Sequence, residues 1–317
     1  MTIITEASGS FIWLREPANN GVAISYLCDR VVFSGRSKYQ KIDIVDTRFH
    51  GRMLFLDGVG QSAEQDEFIY HEFLVHPVMF SYPEPKSVLI IGGAEGATLR
   101  EVLRHKTVQR VVMVDIDGEL IEICKKFLPQ WSAGAFDDPR TELIIGDGRK
   151  FAEECREKFD VIIVDLSDPL QDSPAVYLFT KEFYSALKNC LTPNGCMAIQ
   201  GEGTSPQENI LHARMVNTLK AVFPVVKPYM YNLHSFHRPD SHILVTLQEK
   251  WEPKEVAQRL RKSGMKLRAI TPEILENLFW LPPYLEEAYK REEGHIITDD
   301  NPSFEGVYHL EPPEEEH

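Results

Sequence analysis

The sequence predicts an α/β chain: a doubly wound parallel sheet preceded by a small antiparallel β domain. Three observations predict it. First, the stretch 86–117 holds an apolar run (Val88, Leu89, Ile90, Ile91), then Gly92, Gly93 and Gly96, a helical period (Leu99, Val102, Leu103) and a second apolar run ending in Asp115. Strands buried on both faces read as continuous apolar runs of this kind. Second, strand-like and helix-like periods alternate from Lys86 onward, as in βαβ units. Third, the residues before Glu67 carry short β-prone runs between turn signals. Strand, glycine turn, helix and a second strand ending in an acid make the nucleoside-binding half of a Rossmann-like, methyltransferase-type sheet.

In order, the N-terminal β-prone runs are 11–14, 22–28, 30–34, 41–47 and 53–56. Asn19-Asn20-Gly21, Ser34-Gly35, His50-Gly51 and Asp57-Gly58 part them as turn signals. Residues 67–80 read as an apolar-rich helix carrying Phe68, Ile69, Phe73, Leu74 and Val75. Tyr82-Pro83-Glu84-Pro85 stops it. The expected organisation is an N-terminal β domain with its linking helix at 1–80, a catalytic domain at 81–300 and an acidic tail at 301–317. Within the catalytic domain, helices are expected at 98–105, 120–127, 150–157, 181–190, 209–222 and 254–263. Strands are expected at 88–91, 111–114, 143–145, 159–164 and 196–200, with a hairpin at 227–231 and 242–247. The last residues, 311–317, read as disordered.

With 317 residues, 43% hydrophobic and 26% charged, the chain can bury a sizeable core in one large or two smaller domains. A net charge of −14 disfavours nucleic acid, whose phosphates it would repel, and suits a cationic substrate or simply a solvated surface. Cys28, Cys124, Cys155, Cys190 and Cys196 are odd in number and none stands in Cys-x-x-Cys spacing, so neither a disulfide framework nor a zinc site is expected. No basic N-terminal region precedes an apolar core, and no apolar run reaches membrane-spanning length. A cytoplasmic protein with no membrane partner is the expectation.

The turn Gly92-Gly93-Ala94-Glu95-Gly96 differs from the dinucleotide fingerprint Gly-x-Gly-x-x-Gly, which points away from NAD. Glu95 inside it would repel a pyrophosphate or a carboxylate and attract a cation. The turn therefore suits a nucleoside with a positively charged appendage. Ligands of such sheets lie beyond the carboxyl ends of the strands, so Glu95, Asp115, Asp147 and Asp165 are expected to converge on one crevice. A lone Asp after a strand is commonly a helix cap or turn residue. Several at successive strand ends are harder to explain that way.

Three motifs resemble those of the polyamine aminopropyltransferases, the spermidine synthase family. They are Gln61-Ser62-Ala63-Glu64-Gln65-Asp66-Glu67-Phe68-Ile69-Tyr70-His71-Glu72, Gly92-Gly93-Ala94-Glu95-Gly96-Ala97-Thr98-Leu99-Arg100-Glu101 and Asp165-Leu166-Ser167-Asp168-Pro169. Glu95, Phe136-Asp137-Asp138-Pro139-Arg140 and Thr298-Asp299-Asp300-Asn301-Pro302 look most like the thermospermine synthase and agmatine/triamine aminopropyltransferase branch. The resemblance implies transfer of an aminopropyl group from decarboxylated S-adenosylmethionine, a co-substrate rather than a resident cofactor, to a polyamine such as agmatine, putrescine or spermidine. Methylthioadenosine is left behind. It implies Asp165 as general base, Gln40 and Asp115 at the ribose, Asp147 and Gly148 at the adenine, Pro174 beside the nucleoside, and Glu95 on the aminopropyl ammonium. Tyr70, His71 and Asp168 would contact the acceptor amine, Glu202 its distal cation, and Phe236 falls where common spermidine synthases place a tyrosine. No metal is implied, and a homodimer or homotetramer is.

The residues support that chemistry independently. Polyamine nitrogens are mostly protonated at pH 7, with a Lys-like pKa of roughly 10. A carboxylate can bind such a cation and then take its proton during attack. Glu95 would also reject intact S-adenosylmethionine, which carries a carboxylate at that place. Two features depart from the family pattern. Ala94 replaces a third glycine and has less backbone freedom. His234, His237, His242 and Arg238 bring titratable or positive groups towards the acceptor end. Two other readings stay open: a methyltransferase of a small amine, which Glu95 disfavours, and a non-catalytic polyamine-binding protein, which the histidines suggest.

Overall fold

A computed structural model describes residues 2–5, 12–19, 22–167 and 174–302. Six strands form an antiparallel meander in chain order: β1 (Thr2–Thr5), β2 (Ile12–Asn19), β3 (Val22–Arg36), β4 (Lys41–Thr47), β5 (Gly51–Leu56) and β6 (Val59–Ala63). The expected runs 22–28 and 30–34 are one strand, β3; register shifts at Cys28/Arg30 and Val31/Phe33 accommodate Asp29 without ending it. Strand β6 was not expected, because Val-Gly-Gln-Ser-Ala has almost no β-branched or aromatic residues. It pairs through its turn: Asp57 and Gly58 both have positive φ, 48° and 88°, as a two-residue hairpin that matches strand twist requires.

Helix α1 (Glu67–Ser81) leads into the second sheet, β7 (Ser87–Gly92), β8 (Arg110–Asp115), β9 (Thr141–Ile145), β10 (Phe159–Asp165), β11 (Leu191–Gln200), β12 (Val225–Leu233) and β13 (Arg238–Thr246). Its order is β12-β13-β11-β10-β7-β8-β9, parallel except that β13 runs against both neighbours. Its connections carry α2 (Ala97–Leu103), α3 (Gly118–Phe127), α4 (Pro129–Ser132), α5 (Gly148–Glu154), α6 (Lys181–Asn189) and α7 (Ile210–Lys220). After β13 come α8 (Pro253–Ser263), α9 (Pro272–Asn277) and α10 (Pro283–Arg291). The last two were not expected: each is short and opens on a proline that reads as a breaker in sequence yet is tolerated in the first helical turn. The expected disordered segment 311–317 lies outside the described residues.

Alternate residues of the central strands face opposite layers. Leu89, Ile91, Ile162 and Val164 pack with residues of α6, α7 and α10, whereas Val88, Ile90, Val161 and Ile163 pack with α1, α2, α8 and α9. Burial on both faces accounts for the unbroken apolar runs. The meander joins the same body through Ile42, Ile44 and Leu54, which pack on Ala94 of the glycine turn, on Ala97 at the start of α2, and on α3 and Trp131.

Strand order reverses between β7 and β10, and their carboxyl ends are in register, with Gly92 opposite Asp165. A crevice opens at such a reversal. The backbones come very close there. Gly92 has φ +84°, and a Cβ on it would lie 2.1 Å from the carbonyl oxygen of Asp165. Gly92→Ala is therefore expected to cost about 3 kcal/mol and to lower the unfolding midpoint by roughly 4–5 °C. An unchanged midpoint in scanning calorimetry would contradict this. Ala94, in contrast, is not among the residues with positive φ, so the missing third glycine leaves no strained backbone.

Candidate active site

A cavity of about 1000 Å³ opens at the reversal point, and Glu95, Asp115, Asp147 and Asp165 all line it. Each acid is placed by a different local device. Asp165 ends β10. Its Oδ1 accepts from the Tyr70 hydroxyl at 2.9 Å and its Oδ2 from Thr98 Oγ1 at 2.6 Å, while its carbonyl accepts from Gly93 N at 2.9 Å. Tyr70 comes from α1 and Thr98 from the first turn of α2, so the carboxylate is fixed from two segments and its backbone from a third, the glycine turn.

Glu95 is held between two donors. Ser62 Oγ on β6 donates to Oε2 at 2.6 Å, and His71 Nε2 lies 2.9 Å from Oε1. Trp131 Nε1 orients Ser62 at 3.1 Å. His71 is only 2% exposed. Its Nδ1 faces Glu67 Oε2, one helical turn earlier, at 2.8 Å. Burial alone would push its pKa down, but the carboxylates of Glu67 and Glu95 outweigh burial and raise it to about 10. His71 is therefore an imidazolium donating at both nitrogens, and Arg100 Nη2 braces Glu67 at 2.9 Å. The resemblance places His71 at the acceptor amine; here the residue lines the cavity and both its ring nitrogens are engaged by carboxylates.

Asp115 accepts from the N–H groups of Asp117 (2.8 Å) and Ala94. Burial, with the charges of Asp117 and Asp165 nearby, pushes its pKa up to about 6. Gln40 does not meet Asp115 directly: its Nε2 donates to Asp117 Oδ2 at 2.9 Å, beside Ser37 Oγ at 2.6 Å. Asp117 also caps α3, accepting from Leu120 N at 3.0 Å. Asp147 likewise caps α5 through Arg149 N and Lys150 N at 2.8 and 3.2 Å, so the plain reading of a strand-end acid holds for it while it also lines the cavity. A Cβ on Gly148 would lie 2.6 Å from Ile91 Cγ2, which requires glycine there. Pro174 opens a 3₁₀ turn, Pro174–Leu178, whose Ala175, Tyr177 and Leu178 line the cavity. Asp168 lies outside the described residues.

At the other end, Glu202 follows β11 with φ 67° and 5% exposure. Gln200 Nε2 donates to its Oε1 at 2.8 Å, and Arg238 Nη2 lies 3.8 Å from Oε2. Phe236 lines the same end, edge-on to Tyr70 at 6.0 Å. Two of the three histidines expected to repel a cation, His242 and His237, are accounted for. His242 is fully buried against Tyr70, Tyr229 and Tyr231, and burial holds its pKa well below the usual value, so it is neutral. Burial also lowers the pKa of His237. Arg238 faces a carboxylate. Ser62, Glu67, Thr98 and Asp117 were not anticipated as site residues; only the Glu67–His71 pair, four apart on a helix, left a local signal.

A family model described as the spermine/spermidine synthase domain matches residues 67–258. The chain belongs to that family. A second model, the spermidine synthase tetramerisation domain, matches residues 12–64. Polyamine aminopropyltransferase 2 of Pseudomonas aeruginosa is 40% identical over 295 residues, covering 91% of this chain and 82% of the relative. Polyamine aminopropyltransferase of Sulfolobus acidocaldarius is 42% identical over 278 residues, covering 86% and 91%. Among solved structures, spermidine synthase from Thermotoga maritima superposes with a TM-score of 0.81 at 33% identity, covering 89% of this chain and 96% of that one. A spermidine synthase in complex with the transition-state analogue AdoDATO gives 0.81 at 31%, covering 92% and 98%. This chain is thus an enzyme, a transferase of aminopropyl groups.

Proposed function

We propose that the enzyme transfers the aminopropyl group to a primary amine of agmatine, putrescine or spermidine, with Asp165 as general base. The observation that carries this reading is a single cavity in which Asp165, at the end of β10, faces the same space as Glu95 and Asp115. Asp165 first binds the acceptor ammonium. As its proton passes to the carboxylate, the nitrogen lone pair attacks the methylene carbon next to the sulfonium. The new C–N bond forms while the C–S bond breaks, its electron pair neutralises the sulfur, and methylthioadenosine leaves. Tyr70 and Thr98 hold Asp165 in line, and alignment of this kind can lower a barrier by roughly 7 kcal/mol. Glu95, oriented by His71 and Ser62, takes the ammonium of the aminopropyl chain. Asp115, with Gln40 and Asp117, takes the ribose, and Asp147 and Gly148 border the adenine. Glu202 and Phe236 line the distal acceptor pocket. The tetramerisation-domain match supports a homo-oligomer.

Chromatography of products after incubation with a panel of amines tests the reaction: methylthioadenosine should appear with at least one polyamine, and its absence with all of them refutes the proposal. Calorimetry with intact and decarboxylated nucleosides separates it from a methyltransferase, which would prefer the intact form.

The raised pKa of Asp115 gives a second test. Folding lifts it to about 6 from an ordinary 3.8, so the ionised group costs the free protein about 3 kcal/mol at neutral pH. That cost fades as pH falls from about 6 towards 3.8. Ribose hydroxyls donate to the ionised form, so methylthioadenosine should bind fully above about pH 6 and lose affinity by up to about tenfold per unit below it, with proton release at the midpoint. Affinity that stays flat through this range removes Asp115 from the ribose site.

A further inference from the structure

At the nucleoside end of the cavity, Arg149 and Asp299 stand together in the wall although 150 positions separate them in the chain. Arg149 follows Gly148 in the first turn of α5. Its guanidinium forms a fork on Asp299, with Nη1 to Oδ1 at 2.8 Å and Nη2 to Oδ2 at 2.6 Å. The same Nη1 reaches the carbonyl of Tyr177 at 2.9 Å and Thr180 Oγ1 at 3.3 Å, and Nε donates to Glu153 at 2.8 Å. One side chain thus joins three segments: α5, the 3₁₀ turn with the cap of α6, and the chain after α10.

The third segment is stitched from the other side as well. Ile297 is buried in the core, Lys181 N donates to its carbonyl at 2.8 Å, and Asp299 N donates to Glu182 Oε2 at 3.0 Å. Thr298 and Asn301 exchange backbone hydrogen bonds, so Asp299 sits in a tight turn aimed at Arg149. Two parallel N–H···O bonds fix angle as well as distance, which a lysine could not do. An ion pair of this exposure, with side chains 20% and 33% exposed, adds little to global stability. Its effect is the position of the wall.

We propose that Arg149 and Asp299 are positioning residues for the nucleoside: a clasp that holds the segment after α10 against the adenine end of the cavity and thereby sets co-substrate affinity without entering the chemistry. The proposal rests on the aminopropyl-transfer reading. It differs from the roles of Asp147 and Gly148, which border the same end directly.

The test is titration of methylthioadenosine by calorimetry, paired with steady-state kinetics, for Arg149→Ala, Arg149→Lys, Asp299→Asn and the Arg149→Ala/Asp299→Asn double variant. Arg149→Ala and Asp299→Asn should each weaken methylthioadenosine binding and raise KM for the co-substrate, by about tenfold for Arg149→Ala, with kcat at saturation and acceptor KM within about twofold of wild type. Arg149→Lys keeps the charge and loses the fork, so it should fall between. The double variant should be no worse than Arg149→Ala alone, because that truncation already removes the whole Arg149–Asp299 contact. Unchanged nucleoside affinity, additive losses in the double variant, or a loss confined to kcat or acceptor KM overturns the clasp. An unfolding midpoint recorded for each variant reports misfolding, and a uniform loss of active protein with unchanged affinity in the folded fraction also overturns it. If the wild type itself fails to bind methylthioadenosine, the aminopropyl-transfer reading falls, and the clasp with it.

Discussion

Asp165→Asn is expected to lower kcat by about 10³-fold while leaving methylthioadenosine affinity within about twofold. The substitution is nearly isosteric, so the consequences follow from charge and protons alone. Tyr70 can still donate to the amide oxygen. Thr98, which donates 2.6 Å to Oδ2 in the native enzyme, can rotate its hydroxyl to accept from an amide nitrogen instead. The carbonyl that receives Gly93 N is untouched, so the glycine turn keeps its shape. What disappears is the anion that gathers an acceptor ammonium and accepts its proton. An acceptor with a pKa of roughly 10 is only about 0.1% neutral at pH 7, so attack without a base must draw on that small fraction. The loss should therefore shrink as pH rises towards the acceptor's own pKa, which distinguishes a missing base from a distorted site. Undiminished turnover in single-turnover experiments refutes the assignment.

What could be read in the sequence is what is local. The glycine turn, the acids at the ends of β8 and β10, and the helix carrying Tyr70 and His71 are each written in a few consecutive residues, because a strand buried on both faces and a backbone at positive φ leave few residue choices. Contacts between segments were not legible. Glu95 is oriented by Ser62 from the meander and His71 from α1; Gln40 reaches Asp117; Arg149 meets Asp299 near the far end of the chain. No periodicity encodes such meetings. Charge states also depend on tertiary surroundings. His71 and His242 are both buried against the Tyr70 ring, yet one lies between two carboxylates and is cationic while the other lies among tyrosine rings and is neutral. A histidine count near Leu233 therefore overstated the positive charge at the acceptor end. Strand β6 was missed for a related reason: its turn, not its composition, places it in the sheet.

Glu95→Gln should change co-substrate choice more than turnover. In the native enzyme each oxygen of Glu95 receives one donor, Ser62 on one side and His71 on the other. A carboxylate oxygen has two acceptor sites, so both can still receive an ammonium from the cavity. The His71 charge is shared with Glu67, which lies 2.8 Å from its other nitrogen, so it compensates Glu95 only in part. At 4 Å two unit charges interact by about 4 kcal/mol in a medium of effective dielectric near 20, favourably for an ammonium and unfavourably for a carboxylate. Neutralising Glu95 removes both effects. Affinity for decarboxylated S-adenosylmethionine should fall by about 30-fold, the worth of a charged hydrogen bond of roughly 2 kcal/mol. Intact S-adenosylmethionine should bind more tightly, since the repulsion of its carboxylate is gone, and the preference between the two should narrow by about 30-fold or more. His71 loses one of the two anions that hold its proton, so its pKa should drop from about 10 in the variant, visible as a shift in its ring resonances with pH. Competition calorimetry with the two nucleosides measures the preference directly. If the ratio of their affinities is the same in wild type and variant, the aminopropyl ammonium is not recognised by Glu95, and the electrostatic account of co-substrate choice fails at its central residue.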